Sequence, residues 1–179
     1  ERVAKPLEIH FHSDFGLGVA NTIMAVLAGA EVIHSTVTGI GERAGNTPME
    51  ETVLALLTLY GIDVGIHYNK LNELSQLVQE LSGTEIPANR PFIGEGAYNI
   101  ESGIVTGWFK NAFEQNPTTV YPVRPDFVGH KKPEILMGKK SGVDNVSLWA
   151  AKLGINLTDE EGMDVLMRVK LKAHDLKRT

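Results

Sequence analysis

The sequence predicts an α/β fold in which a short parallel-sheet unit is followed by mostly helical segments. Three observations indicate this class. Strand-like and helix-like patterns alternate over the first third of the chain, a glycine-rich loop there leads into a well-signalled helix, and the last part has helical character alone. Alternation of strands and helices is typical of parallel sheets, because each crossover between parallel strands needs a connection of about a dozen residues or more.

Two strands and a helix are predicted from the hydrophobic pattern of the first residues. In Leu7–His12 the apolar side chains point to one face, and the polar ones, including both histidines, point to the other. The spacing of apolar residues from Gly18 to Ala30 predicts a helix. Val32–Thr38 is predicted as the second strand, so this region is a strand–helix–strand unit.

The helix after the glycine-rich loop has clear start and stop signals. Thr47 suits the N-cap position and Pro48 the first helical position, and Glu50 completes a capping box. Gly61 is predicted to end the helix. Its buried face is predicted to consist of Met49, Val53, Leu56, Leu57 and Tyr60.

The remainder is predicted to be helical with one irregular stretch. A helix with apolar residues from Leu71 to Leu81 is closed by Gly83. The stretch Pro87–Pro133 is rich in Pro, Gly and Asn, and is predicted to be an irregular linker with at most short helices. Two more helices are predicted, from Asp144 to Leu153 and from an N-cap at Thr158, with Glu161 as capping-box partner, to about Leu176.

Two strands cannot form a stable sheet that is buried on both faces. A (β/α)8 barrel takes about 250 residues. If the strand–helix unit is barrel material, most of the barrel is absent, and we expect the chain to be the C-terminal portion of something larger. The predicted division is residues 1–62 as barrel, 63–133 as a helix and linker subdomain, and 134–179 as a small helical subdomain.

Composition narrows the classes of function. The chain has 179 residues and a net charge of −5, from 17 basic and 22 acidic residues. No basic patch stands out, so a nucleic-acid partner is not expected. No apolar run is long enough to span a bilayer, so no membrane association is expected. With no cysteine, disulfides and cysteine nucleophiles are excluded, and a cytoplasmic location is expected.

His10 and His12 are candidate metal ligands. Two residues apart on a strand, both imidazoles lie on the same face, and imidazole is a common ligand of zinc and similar ions. Asp14 follows on that side and is predicted to orient an imidazole by hydrogen bonding. The alternative is a polar strand face with no metal, because His-x-His is short and common.

The glycine-rich loop and the second strand supply further candidates. Asn46 ends the loop where its amide oxygen is predicted to reach a metal; the alternative is a turn or capping role. Glu42 and Arg43 are adjacent opposite charges, predicted to form an ion pair or to hold the loop. Thr36 and Thr38 are candidates for binding a substrate carboxylate, with ordinary strand residues as the alternative.

Two motifs carry a resemblance to a known family. His10–Asn21 reads HFHSDFGLGVAN and resembles the first signature of 2-isopropylmalate synthase and homocitrate synthase. Gly39–Asn46 reads GIGERAGN and, with Glu50 and Glu51 after it, resembles their second signature, at the family's spacing. A weaker resemblance continues through Pro91–Glu95, Glu101–Ile104 and Gly138–Gly142.

The resemblance implies a TIM barrel followed by small helical subdomains, with residues 1–62 as the last two βα units. It implies that His10, His12 and Asn46 bind a divalent metal ion (Zn, Mn, Mg or Co) with an Asp from an N-terminal segment that has no match here. It implies condensation of an acyl-CoA with a 2-oxo acid, as in amino-acid biosynthesis. A homo-oligomer and a missing N-terminal barrel segment or chain are implied as partners.

The sequence departs from the family where a catalytic base is expected. Gly138–Asp144 reads GKKSGVD, with Lys140 and Asp144 where the synthases have histidines, and Val105 also replaces a histidine. The catalytic base is therefore unassigned. Two alternatives stay open. One is a carbon–carbon lyase or aldolase related to hydroxymethylglutaryl-CoA lyase, although that enzyme has a loop cysteine absent here. The other is an inactive fragment or split subunit that needs an N-terminal partner.

Overall fold

The computed structural model describes residues 4–177. Within this range it has two strands and six α-helices: β1 Glu8–His10, α1 Gly18–Leu27, β2 Val32–His34, α2 Met49–Tyr60, α3 Leu71–Ser82, α4 Gly103–Ala112, α5 Val143–Leu153 and α6 Asp159–Asp175. Short 3-10 turns lie at Val37–Gly39, Tyr68–Lys70, Pro117–Thr119 and Asp126–Val128.

The chain forms two compact units. The first comprises the residues up to Ala97 together with Asp126–His130, and the second comprises Tyr98–Pro125 and the residues from Lys131 onward. Among the helices described for residues 4–177, none has the length and apolar character needed to cross a membrane.

In the first unit, β1 and β2 pair in parallel, as the strand–helix–strand pattern predicts. The register places Ile9 opposite Ile33 and His10 opposite His34. Ile9 is half-buried whereas His10 is exposed, as the predicted alternation requires, but Leu7 on the predicted apolar face is 39% exposed and His12 is half-buried. The connection between the two strands contains α1, as parallel pairing requires.

Both strands are shorter than predicted. β1 ends at His10 and β2 at His34, and pairing continues beyond them only as isolated bridges that include His12 and Thr36. The prediction that β2 reaches Thr38 is wrong because this residue has φ +62°, a left-handed conformation that a regular strand does not contain. The chain therefore turns at this point instead of extending.

The start of α2 also differs from the prediction. Pro48 is the N-cap residue and no side chain caps the helix. The Thr47 hydroxyl instead lies 3.1 Å from Thr22 Oγ1 in α1, and the Glu50 carboxylate accepts a hydrogen bond from Thr38 N at 3.0 Å. Thr47 and Glu50 are both fully buried. They stabilise the loop against the helices rather than closing a capping box.

The glycine stop signals behave as the sequence predicts, with one earlier stop. Gly61 and Gly83 end α2 and α3 in the left-handed conformation, both at φ +68°, which glycine adopts without steric cost. α1 ends at Leu27 rather than Ala30, since Gly29 has φ +104° and breaks the helix.

The core of the first unit is built mainly around α2. Its buried face is rotated from the predicted one: Leu54, not predicted, is fully buried, whereas Tyr60 is 45% exposed. The reason is that α2 contacts α1 on one side and the 3-10 turn Val37–Gly39 on another. Further buried residues of this unit are Ile23, Val53, Leu56, Leu71, Ile93 and Val128.

In the second unit, the region predicted as an irregular linker contains the ten-residue helix α4. Its sequence is rich in glycine and β-branched residues and has low intrinsic helix propensity, so it must be stabilised by packing. Thr106 is fully buried, and the Phe109 and Phe113 rings stack with centroids 4.4 Å apart. Periodicity in the sequence does not reveal such contacts.

The starts of α4 and α5 are close together. A Cβ on Gly103 would lie 2.7 Å from the Gly142 backbone, so neither position has room for a side chain. The fully buried Asn145 connects the backbone segments that meet at the starts of α4 and α5. Its Nδ2 donates to Glu101 O and Leu136 O, both at 3.0 Å. Its Oδ1 accepts from Gly142 N at 2.9 Å.

The predicted capping box of the last helix is confirmed. Thr158 N donates to Glu161 Oε2 at 2.8 Å, and Glu161 N donates to Thr158 Oγ1 at 3.3 Å. Two of the amide groups that a helix N-terminus leaves unpaired are thereby satisfied.

We predict that Asn145→Ala lowers the free energy of unfolding by about 2 kcal/mol, because the partly buried Glu101 O and Gly142 N lose the hydrogen bonds that Asn145 makes to them, at about 1–3 kcal/mol for each group left unpaired. Chemical denaturation of the chain measures the change. Asn156→Ala is the matched control: this asparagine is exposed, and we expect a change within about 0.5 kcal/mol. Equal effects of the two substitutions would contradict the role of Asn145.

Candidate metal and substrate site

The two histidines predicted as metal ligands converge. His10 Nε2 and His12 Nε2 are 3.1 Å apart, and the ring centroids lie 5.0 Å apart in an edge-on arrangement. His10 is exposed at the end of β1, and His12 is half-buried just beyond it. His12 Nδ1 is buried and has no hydrogen-bond partner among the described residues.

Asn46 lies directly beside this pair. It forms an isolated antiparallel bridge with His12, and side chains of directly opposed residues project to the same side. Its Nδ2 donates to Ile40 O at 3.4 Å. Its Oδ1 is buried and unpaired within residues 4–177. The structure thus brings the three predicted ligands to one place.

Glycines let the loop fold tightly around Asn46. Asn46 N donates to Gly39 O at 3.1 Å. A Cβ on Gly41 would lie 2.8 Å from Asn46 Cγ, so only glycine allows the backbone to pass this close to the amide. Gly45 has φ +87°, and a Cβ there would overlap Gly39 O.

The residues present fit a divalent cation. Two nitrogen ligands at about 2.1 Å from one ion are about 3.0 Å apart at right angles and about 3.4 Å apart in a tetrahedron. The observed Nε2–Nε2 distance of 3.1 Å falls in this range. Among the described residues, no three His, Cys, Asp or Glu side chains are arranged to hold a metal ion; the unpaired amide oxygen of Asn46 is a candidate third donor beside the two histidines.

The carboxylate of Asp14 pairs with Arg43, and not with an imidazole as the sequence predicts. Arg43 Nε donates to Asp14 Oδ1 at 2.7 Å and Nη2 to Oδ2 at 3.2 Å, a two-point contact. This hydrogen bonding holds the pKa of Asp14 below its usual value. The predicted ion pair between Glu42 and Arg43 is also present. Its distance, 3.7 Å from Glu42 Oε2 to Arg43 Nη1, is longer than the 2.7 Å of the Asp14–Arg43 pair. Arg43 joins the loop to the chain after β1.

The two threonines predicted for substrate binding lie in the turn before the loop. The Thr36 hydroxyl donates to Ile40 O at 2.7 Å, so binding a carboxylate through it would require that bond to break. Thr38 N donates to the buried Glu50 carboxylate. Burial raises the pKa of Glu50, and the hydrogen bond from Thr38 acts in the opposite direction.

Sequence reasoning did not assign His34 to the site. Its Nε2 lies 3.1 Å from Glu8 Oε2, and its ring centroid is 5.8 Å from that of His10. The polar faces of β1 and β2 therefore form one continuous surface. The strand register was the missing information, because it alone places residue 34 beside residue 10.

The segment in which the resembling synthases have a histidine base has a structural role in this chain. Lys140 N donates to Glu101 Oε1 at 2.9 Å. Asp144 Oδ1 accepts from Lys110 Nζ at 2.9 Å. Val105 belongs to α4. None of these positions presents an imidazole, so the catalytic base stays unassigned.

Both parts of the chain match known family models. Residues 1–78 match the HMGL-like family model, and residues 92–177 match the homocitrate synthase post-HMGL domain-like model. The part that contains the histidine pair and the glycine-rich loop thus belongs to the HMGL-like class.

Curated relatives define the family further. The chain is 41% identical over 172 residues to a putative (R)-citramalate synthase of Methanopyrus kandleri, covering 95% of this chain and 33% of the relative. It is 43% identical over 171 residues to a probable 2-isopropylmalate synthase of that organism, at the same coverage. It is 40% identical over 174 residues to homocitrate synthase 1 of Nostoc sp., covering 97% and 45%. The chain belongs to the isopropylmalate, citramalate and homocitrate synthase family, and it spans between a third and a half of these relatives.

We predict that Gly41→Ala destabilises the first unit by about 1–3 kcal/mol, because the new methyl group overpacks the Asn46 amide. The free energy of unfolding from urea titration measures this. The control is Gly162→Ala in α6, where no atom lies within 4 Å of the added Cβ and helix propensity favours alanine by up to about 1 kcal/mol. A neutral Gly41→Ala would show that the loop does not need this close approach.

Proposed function

We propose that this chain carries part of the active site of a divalent-metal-dependent synthase that condenses an acyl-CoA with a 2-oxo acid. The observation that carries the proposal is the convergence of His10 and His12 beside the unpaired oxygen of Asn46. The relatives support the class of reaction, since they are named as citramalate, isopropylmalate and homocitrate synthases.

In this proposal His10, His12 and Asn46 bind the metal ion. When bound, a divalent ion supplies Lewis-acid polarisation of a substrate carbonyl. The neighbouring contacts keep the ligands in place: the bridge between His12 and Asn46 fixes their backbones, and the Asp14–Arg43 pair joins the chain segments that carry them. Thr36 and Thr38 stay candidates for binding the substrate carboxylate, and Thr36 would first have to release its hydrogen bond to Ile40 O.

The proposed site needs residues beyond these 179. Two strands leave the polar face of β1 open, with His10 and Glu8 exposed, whereas barrel active sites lie at the mouth of a closed sheet. We therefore assign residues 1–62 to an incomplete TIM barrel, with the linker and helical subdomains after it. A partner segment completes the barrel. A lyase that depends on a loop cysteine is disfavoured, since the chain has no cysteine.

Removing either histidine tests the ligand assignment. We predict that His10→Ala and His12→Ala in the complete enzyme each weaken binding of a divalent ion on the order of 100-fold or more, since even partners of metal ligands contribute about 10–100-fold. Metal content after dialysis and turnover should fall together. The control is His67→Ala, an exposed histidine of the same unit, which should retain metal. Unchanged metal content in both ligand variants would rule out the assignment.

Complementation tests the incomplete barrel. We predict that the purified 179-residue chain releases no free thiol from acetyl-CoA with any 2-oxo acid in a panel, and that adding the missing barrel segment restores release with at least one acceptor. The physical reason is that an open strand face cannot exclude water or orient two substrates. Robust turnover by the chain alone would refute the incomplete site. Restored metal binding without thiol release by the assembly would favour carbon–carbon cleavage.

A further inference from the structure

A compact turn after α3 fixes the backbone of Arg90. Arg90 N donates to Pro87 O at 2.8 Å, and Gly94 N donates to Arg90 O at 2.9 Å. Gly96 N donates to Ala88 O at 2.8 Å, which closes the turn. A Cβ on Gly94 would lie 2.6 Å from Arg90 N, so the turn is packed too tightly to move freely.

The side chain of Arg90 joins this turn to two other elements. Its Nε lies 2.9 Å from Glu51 Oε1 in α2, and the two side chains are only 27% and 20% exposed. Its guanidinium group packs against Gly39, where a Cβ would lie 2.8 Å from Nη2. Gly39 is buried with φ +73°, so the glycine-rich loop begins directly under the guanidinium group.

Gly39 in turn supports the candidate metal ligand. Its carbonyl oxygen accepts the hydrogen bond from Asn46 N. A continuous series of contacts therefore runs from Glu51 through Arg90 and Gly39 to Asn46. Burial raises the pKa of Glu51, and the charge of Arg90 opposes that shift. The ion pair therefore offsets part of the free-energy cost of burying the Glu51 carboxylate.

We propose that Arg90 is a positioning residue that holds Gly39, and through it Asn46, in the geometry required for metal binding. This inference rests on the proposed function, because it takes Asn46 as a ligand. A planar guanidinium group can cover the glycine and pair with Glu51 at once. Lysine keeps the charge but not the flat surface, so the two residues are not equivalent at this position.

The test is a titration of the complete enzyme with Co²⁺, in which binding is measured from the visible absorption of the bound ion. We expect Arg90→Ala to weaken Co²⁺ binding about 10–100-fold, as for other partners of metal ligands, and Arg90→Lys to restore only part of the affinity. The Co²⁺ spectrum at saturation should also change in Arg90→Ala, because a displaced Asn46 alters the ligand set. Lys70→Ala, which removes the exposed pair with Glu73 in the same unit, should change neither.

The variants separate the possible failures. Asn46→Ala is the reference. If it leaves Co²⁺ affinity and spectrum unchanged, the ligand assignment and the proposed function fail. If Asn46→Ala abolishes binding while Arg90→Ala retains wild-type affinity and spectrum, the positioning role is refuted. If Arg90→Ala does not fold, Glu51→Gln and Arg90→Lys decide: weaker binding with circular dichroism retained supports the role, and wild-type binding in both overturns it.

Discussion

Two backbone hydrogen bonds of 2.9 and 3.1 Å join the chain on either side of His12 to the chain on either side of Asn46. The candidate site depends on this short pairing, because its donors come from segments that are far apart in sequence. The bridge orients both side chains to the same side, where His10 already projects from β1. Two side-chain bonds support the same pairing: Ser13 Oγ donates to Asn46 O at 3.4 Å, and Thr47 Oγ1 donates to Phe11 O at 3.3 Å.

The glycine-rich loop needs external support, because its own conformation is unfavourable. Thr38 and Arg43 both have positive φ, which costs about 1 kcal/mol or more for each residue that is not glycine. Two acidic side chains of neighbouring segments stabilise these conformations. The Glu50 carboxylate in α2 accepts a hydrogen bond from Thr38 N, and Asp14 pairs with Arg43. The buried carboxylate has a raised pKa because it loses hydration, so holding the loop carries a cost in desolvation. A loop that only connected two elements would not require such partners.

Local signals predicted much of the fold, and long-range contacts account for the errors. The stop at Gly61 depends on one residue's conformational freedom, and the two histidines share a face by alternation alone; the sequence contains both facts. The turn at Thr38, where a strand was predicted, has a positive φ and a hydrogen bond to Glu50 in α2, and periodicity in the sequence shows neither. The candidate site shows the same division. Asn46 was proposed from a sequence motif, whereas Arg90 could not be proposed from sequence, because its partners Glu51 and Gly39 lie in other elements.

The metal ligands and the acid–base group are separate questions in this chain. The turn that resembles the base-bearing segment of the synthases makes several structural contacts: Ser141 Oγ accepts from Gly138 N at 2.9 Å, Asp144 pairs with Lys110, and the glycine before α5 lies against the start of α4. Lys140 is exposed, and it is its backbone amide that donates a hydrogen bond to Glu101. None of the three replaced positions carries an imidazole, so the proposed condensation has no assigned base among these residues. Metal binding can be intact in a protein of this kind whatever group removes the proton.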